Sequence, residues 1–380
     1  MLDSQAASRG RVYLPRRNPP DVLPHHIRSL EWGRQMTFKS SVKTQVTSIL
    51  AALAIALCFS TTANAGAHKH YTKIKSCKWW KVSCKIEQHR NRYDTKYPIV
   101  LVHGLSGFDE ILFMEMFHKI PGTLRSGGAK VYIPNVSAWN GVEARGEQLL
   151  HYIQSHVLPH SGASKVHLIG HSMGSLTSRY VAGVKPGIVA SSTSVHGVNY
   201  GSHFADFMLY KLLPESSPLY KSYIKFMDKL LGTVGAVVDF LATGTTDFEQ
   251  DALQASLDLS TAGNAALNAK YPAGALTSKC GNGPERASNG VHYYSWGGIG
   301  GVTNFVDPSD YAMTFIAAAT AKEKSDGLVG RCSQRWGKVL RDNYNLNHID
   351  AANLLFGMTG FTDPKDIYEN HANRLRRKGL

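Results

Sequence analysis

The chain has 380 residues, 43% of them hydrophobic, and a formal net charge of +14 at pH 7. That is enough for one large α/β core. The positive excess gives no reason to expect a nucleic-acid partner, because most of it lies in the first hundred residues.

In chain order, residues 36–43 (MTFKSSVK) form a basic stretch, 46–59 (VTSILAALAIALCF) an apolar run, and Ala63-Asn64-Ala65 a small-x-small cleavage site before Gly66. The apolar run is about 14 residues, short of the roughly 20 that span a bilayer. Residues 36–65 are therefore read as a removable signal peptide rather than an anchor, and 1–35 as a leader extension or a mis-assigned start with Met36 the initiator. The signal peptide implies export from the cytoplasm. Cys58 leaves with the leader, and Cys77, Cys84, Cys280 and Cys332 remain. An even number in an oxidising compartment suggests two disulfides. Three pairings are open; Cys77 with Cys84 and Cys280 with Cys332 is the simplest. Residues 66–96 carry 9 Lys or Arg against 2 acidic residues, with Trp79-Trp80 between lysines. A charged arm with a small disulfide loop is expected, the alternative being a binder of anionic surfaces with its aromatic rings at the interface.

From residue 97 the chain alternates strand and helix patterns. Residues 97–102 (YPIVLV) and 129–136 (AKVYIPNV) read as strands. Residues 146–157 read as a helix with Leu149, Leu150, Ile153 and Val157 on one face, and 188–195 as a further strand. This rhythm predicts an α/β fold with a mostly parallel sheet and helices on both faces. Between the last two elements lies KVHLIGHSMGSLTSRYVAGV. Its G-H-S-M-G has an apolar run before it and helical apolar spacing at Met173, Leu176, Tyr180, Val181 and Val184 after it. Ser172 thus falls on a strand-to-helix turn, with Gly170 and Gly174 permitting a sharp bend, as a nucleophile elbow requires. A serine nucleophile needs a base, an acid that orients the base, and donors for the oxyanion. Downstream, Asp326 in SDGLVG is expected at a strand-to-loop edge, and LNHID supplies a histidine. With 17 His in the chain, order alone does not select it.

The segments YPIVLVHGLSGF, RGEQLL, KVHLIGHSMGS, NAKYP, YYSW, TNFVDPSD, DGLVG, RDNYNLNHID and HANRL, in order across almost all of 95–380, resemble the bacterial secreted true lipases of the Pseudomonas–Burkholderia type. The resemblance implies an α/β-hydrolase fold over 97–380, with Ser172 as nucleophile, His348 as general base and Asp326 as its acid. It implies the backbone N–H groups of Leu105 and Met173 as the oxyanion hole. It further implies a structural calcium ion held by Asp307, Asp350 and the carbonyls of Leu354 and Met358, and a Cys280–Cys332 disulfide. A helical lid is implied within about 213–245, where Tyr223, Met227, Leu230, Leu231, Val234, Val238 and Leu241 form an apolar stripe. Periodicity alone would equally suit a buried core helix there. The activity implied is hydrolysis of triacylglycerols at an oil–water interface, with a dedicated foldase chaperone and type II secretion as partners. A carboxylesterase or polyester depolymerase on the same triad is the nearest alternative, and a catalytically silent lipid-binding envelope protein a more distant one. Two places depart from the family pattern. Met173 stands where many relatives carry His, and SVHGVNYGS (194–202) lacks the family's Pro-His pair.

Overall fold

The computed structural model describes residues 91–105, 110–111, 114–211, 248–278, 280–354 and 357–380. The signal peptide, the arm up to residue 90, Cys77 and Cys84, and the lid segment at 213–245 lie outside the described residues.

Eight strands are described: β1 (Ile99–Val102), β2 (Glu110–Ile111), β3 (Met114–Glu115), β4 (Val131–Tyr132), β5 (Val166–His171), β6 (Val189–Val195), β7 (His292–Gly298) and β8 (Lys338–Tyr344). The helices are α1 (Ile120–Ser126), α2 (Val142–Tyr152), α3 (Leu158–Ser161), α4 (Met173–Val184), α5 (His203–Asp206), α6 (Ala252–Leu259), α7 (Thr261–Lys270), α8 (Pro308–Thr320) and α9 (Pro364–Arg377). Six strands form one sheet in the order β4-β1-β5-β6-β7-β8, every pairing parallel; β2 and β3 make a small antiparallel pair.

A parallel strand covered on both faces must be apolar without interruption. The run IVLV of β1 meets that demand; VHLIGH of β5 is buried throughout but interrupts it at His167, whose Nδ1 lies 2.8 Å from Ser191 Oγ, and at His171. Alternate side chains feed opposite cores, as the two-residue period of a strand requires. Val100, Val102, Val166 and Leu168 pack with Leu149, Leu176 and Val181 of α2 and α4. Ile99, Leu101 and Ile169 pack on the other face with Ile120, Leu124, Tyr368 and Ala372 of α1 and α9.

Several boundaries differ from the sequence reading. The strand expected at 129–136 shrinks to Val131–Tyr132, because it pairs on one side only and Pro134 has no N–H to offer a ladder. The helix expected from 146 begins at Val142, and its last stretch, Ile153–Val157, is a π-helical turn. Ile188 belongs to a 3-10 turn ahead of β6. Asp326 does not follow a strand of the main sheet. It lies after α8, in a turn closed by an isolated bridge between Ser325 and Gly330.

The strand order fixes where a site can form. From β1 the chain moves outward to β4, then crosses back to β5 on the other side of β1 before continuing through β6. Neighbouring strands whose connections leave in opposite directions open a crevice at their carboxyl ends. Val102 is in register with Gly170 there, so residues 103–105 and Ser172 emerge side by side.

Candidate active site

Ser172 occupies the turn between β5 and α4 with φ 55° and ψ −126°, a left-handed conformation that side chains seldom adopt. Its amide donates to the carbonyl of Val195 at 3.0 Å, and its carbonyl accepts from Ser175 Oγ at 2.6 Å. Both flanking glycines are sterically required. A β-carbon on Gly170 would stand 2.2 Å from the carbonyl oxygen of Gly174, and one on Gly174 would stand 2.2 Å from that of Val102. The elbow is therefore pressed against the end of β1, and Ser172 remains partly accessible while its neighbours His171 and Met173 are buried.

His348 Nδ1 lies 2.8 Å from Oδ2 of Asp326. The carboxylate accepts, so Nδ1 carries the proton and Nε2 keeps its lone pair. Asp326 is fully buried. Burial alone would raise its pKa, but the two imidazoles facing it and their hydrogen bonds win, holding it well below the usual carboxylate range. Its Oδ1 accepts from the amides of Leu328 and Val329 at 3.1 and 2.8 Å, and its carbonyl accepts from the amide of His348 at 2.8 Å. His171, one residue before Ser172, closes the link to the elbow: its Nε2 lies 2.9 Å from the carbonyl oxygen of His348. A carbonyl only accepts, so Nε2 of His171 is the donor. Burial and then the neighbouring His348 push the His171 pKa well down, keeping that ring neutral.

Two main-chain amides face the same region. Met173 is the first residue of α4, and its N–H belongs to the turn that has no intrahelical acceptor, at the positive end of the helix. Its side chain is fully buried among the core residues of the α2–α4 face. The 103–105 loop is held by Arg145, fully buried on α2, whose guanidinium donates to the carbonyls of Ser137, Ala138, His103 and Gly104. His103 Nδ1 also bonds the Gly104 oxygen at 2.9 Å, and burial, then the Arg145 charge, lowers the His103 pKa to about 3. In a trans peptide the C=O and the next N–H point in opposite directions. Anchoring the Gly104 oxygen on Arg145 thus turns the Leu105 N–H to the other side of the loop.

Asp307, Asp310 and Asp350 form a separate cluster, all buried, with carboxylate oxygens within 4.8 Å of one another. Asp307 caps α8 through the amide of Ser309 at 2.8 Å. Asp310 accepts from the amides of Thr303 and Asn304 and from Asn347, and Asp350 accepts from Thr303 and from the amide of Asn347. Burial, with the charges of Asp310 and Asp307 adding to it, raises Asp350 to about 7; burial, then the Asp310 charge, also raises Asp307. Such a donor set is short of positive charge and suits a hard divalent cation. Cys280 and Cys332 are joined in a disulfide.

The family profile described as alpha/beta hydrolase fold matches residues 97–217. Over 304 residues the chain is 45% identical to a triacylglycerol lipase of Vibrio cholerae serotype O1, spanning 80% of this chain and 95% of the relative. The chain belongs to the bacterial triacylglycerol lipases. Within that family it is 39% identical over 302 residues to a triacylglycerol lipase of Pseudomonas fragi, covering 76% of this chain and 98% of the other. Its fold is similar to that of the Staphylococcus hyicus lipase, with a TM-score of 0.52 at 15% identity over 77% of this chain and 99% of that one.

The residues that the family pattern singled out fall in two places in the structure. Ser172 stands on the elbow, and Asp326 is bonded to His348. Leu105 and Met173 flank the serine, and Asp307 and Asp350 share a cluster with the loop after His348. Leu354 and Met358 lie further along that loop, half-buried. Sequence reasoning missed four groups. Arg145 was visible only as a letter of RGEQLL, and His171 only as the variable position of the elbow. Asp310 had a signal in the DPSD spacing, one helical turn beyond Asp307. His196 lay in the stretch singled out for departing from the family pattern.

Proposed function

We propose that this chain is a secreted triacylglycerol lipase that hydrolyses long-chain carboxylic esters through a serine acyl-enzyme. The observation that carries this reading is the Asp326–His348 pair, tied to the elbow of Ser172 by His171. Ser172 Oγ attacks the ester carbonyl carbon, and its proton passes to Nε2 of His348. Asp326 keeps the ring in the Nδ1–H tautomer and stabilises the imidazolium that forms. The carbonyl oxygen, now an oxyanion, accepts from the N–H groups of Leu105 and Met173. Collapse expels the alcohol, which takes the proton from His348 and leaves an acyl group on Ser172. Water attacks that ester, giving its proton to His348. A second collapse returns the proton to Ser172 and frees the fatty acid.

A calcium ion belongs to the same reading. Asp307 and Asp350, with the carbonyls of Leu354 and Met358, would hold it, and Asp310 adds a third carboxylate nearby. The ion would supply the charge that lets these buried acids stay ionised. Asp350 lies two residues after His348, so the ion's role is to steady the loop that carries the base. Export through the periplasm by the type II route, with a foldase assisting, and a lid within 213–245 complete the proposal; the leader motif at 36–65 supports export, the apolar stripe supports the lid, and the route and the foldase rest on the family resemblance.

The test is hydrolysis of emulsified triolein by the mature protein and by Ser172→Ala. The variant should retain no more than background turnover, and full activity in it would overturn the reading. A rate on emulsified long-chain esters no higher than on soluble butyrate esters would instead favour a carboxylesterase on the same triad.

A further inference from the structure

Asp326 faces two histidines. His196, the first residue beyond β6, is fully buried, and its Nδ1 lies 2.8 Å from Oδ2 of Asp326, the same oxygen and the same distance at which His348 Nδ1 is found. The two rings stand nearly perpendicular, 73° apart, with centroids separated by 6.4 Å. The sequence makes room for this second ring. His196 takes a positive φ of 47°, its amide donates to the carbonyl of Trp296 at 3.0 Å, and a β-carbon on Gly298 of β7 would stand 2.6 Å from its Cε1. Its Nε2 is buried without a hydrogen-bond partner among the described residues. Among the described residues, the ring's one hydrogen bond is with Asp326, and a buried polar atom left unpaired costs stability.

Resting on the triad reading above, we propose that His196 is a positioning residue: from the end of a central strand it donates Nδ1–H to Asp326 and fixes the carboxylate that orients His348. Oδ1 of Asp326 is tied to its own turn through Leu328 and Val329. Among the described residues, the only side-chain donor left to Oδ2 without His196 would be His348, the very group it has to aim. With His196, Oδ2 is referenced to β6, which is hydrogen-bonded to β5 and hence to the elbow. The donor is useful only if uncharged, since a second imidazolium would oppose proton transfer to His348. Burial, partly offset by the Asp326 hydrogen bond and charge, lowers the His196 pKa and keeps it neutral.

The experiment measures kcat and KM on p-nitrophenyl butyrate, normalised to active sites titrated with a phosphonate, for wild type, His196→Leu, His196→Ala and His196→Asn. His196→Leu and His196→Ala lack the donor and should lose about tenfold or more in kcat with KM unchanged. His196→Asn, whose amide N–H₂ reaches a similar position, should recover most of that loss. In an Asp326→Asn background, itself expected to lose about 10⁴-fold, His196→Leu should add less than twofold. A kcat per titrated site within twofold of wild type in both His196→Leu and His196→Ala, or full additivity with Asp326→Asn, overturns the positioning role. If His196→Leu does not fold, His196→Ala against His196→Asn decides. An unchanged kcat in Asp326→Asn alone would instead sink the triad reading.

Discussion

Gly104 and Ser172 meet so closely that a β-carbon on Gly104 would stand 2.7 Å from Cβ of Ser172 and 3.2 Å from its Oγ. The oxyanion loop and the nucleophile are thus packed backbone to side chain, and no larger residue fits without parting them. Gly104→Ala should therefore fold, because the clash can be relieved by the loop, but lose about 10²-fold in kcat on p-nitrophenyl butyrate. A displacement near 1 Å at the reacting atoms costs that much. Circular dichroism would establish the fold, and kinetics the loss.

Arg145 holds the same loop from behind through the carbonyls of His103 and Gly104, at 2.7 and 3.1 Å. A guanidinium serves several carbonyls with a rigid fork, whereas an ammonium is a point charge on a flexible stem. Arg145→Lys keeps the charge and loses the fork. It should lower kcat about tenfold with little change in KM, because the donor it aligns acts on the oxyanion and not on the ground-state ester. A rise in KM at constant kcat would show that the loop shapes binding instead.

Much of this was legible in the residues. The elbow, its strand and its helix follow from an apolar run, two glycines and a helical stripe, all local signals. The partners of Ser172 are not local. Asp326 and His348 lie 154 and 176 positions downstream, and only the family resemblance selected His348 among 17 histidines. Arg145, His171 and His196 were missed because each acts through tertiary hydrogen bonds that leave no periodicity. A buried histidine in a core and one that orients a catalytic acid carry the same letter. The short β4 and the turn around Asp326 differed from expectation for the same kind of reason: an edge position and a proline in one case, an isolated bridge in the other.

The Cys280–Cys332 disulfide spans 52 positions and ties residues 280–282 to the loop whose Gln334 bonds the carbonyls of Gly298 and Val329. Closing a loop of that length is worth about 4 kcal/mol in the chain-entropy model, and usually less in practice. The double variant Cys280→Ser, Cys332→Ser should lose about 2–4 kcal/mol in urea unfolding. Its specific activity at low temperature should stay near that of wild type, because neither cysteine touches the triad.

Removing calcium tests the acidic cluster. With the carboxylates of Asp307, Asp310 and Asp350 confined together, chelation should leave like charges unscreened beside the His348 loop. Wild type treated with a chelator should melt several degrees lower and regain its Tm with added Ca²⁺ but not Mg²⁺, which demands a stricter geometry. In Asp350→Asn the calcium-dependent shift should largely disappear. A chelator-insensitive Tm in wild type would remove the ion from the account.

Glu285 supplies the pH-dependent prediction. It accepts from Lys338 on β8 at 2.7 Å, from Tyr294 on β7 at 2.9 Å and from Lys378 at the end of α9, clamping the C-terminal helix to the sheet. Burial would raise its pKa, but those three hydrogen bonds outweigh it and hold the carboxyl at about 2, against 4.5 for a free glutamate. A folded-state pKa below the unfolded one adds stability that is complete above the unfolded value and lost as pH falls through the folded one. The side chain is partly exposed, so solvent screening reduces the contribution to about 1 kcal/mol. Glu285→Gln should therefore unfold at lower urea than wild type at pH 6 to 7. The gap should narrow below about pH 4.5 and close as the pH approaches 2. A gap that persists unchanged at pH 2.5 would mean that Glu285 acts through packing rather than charge.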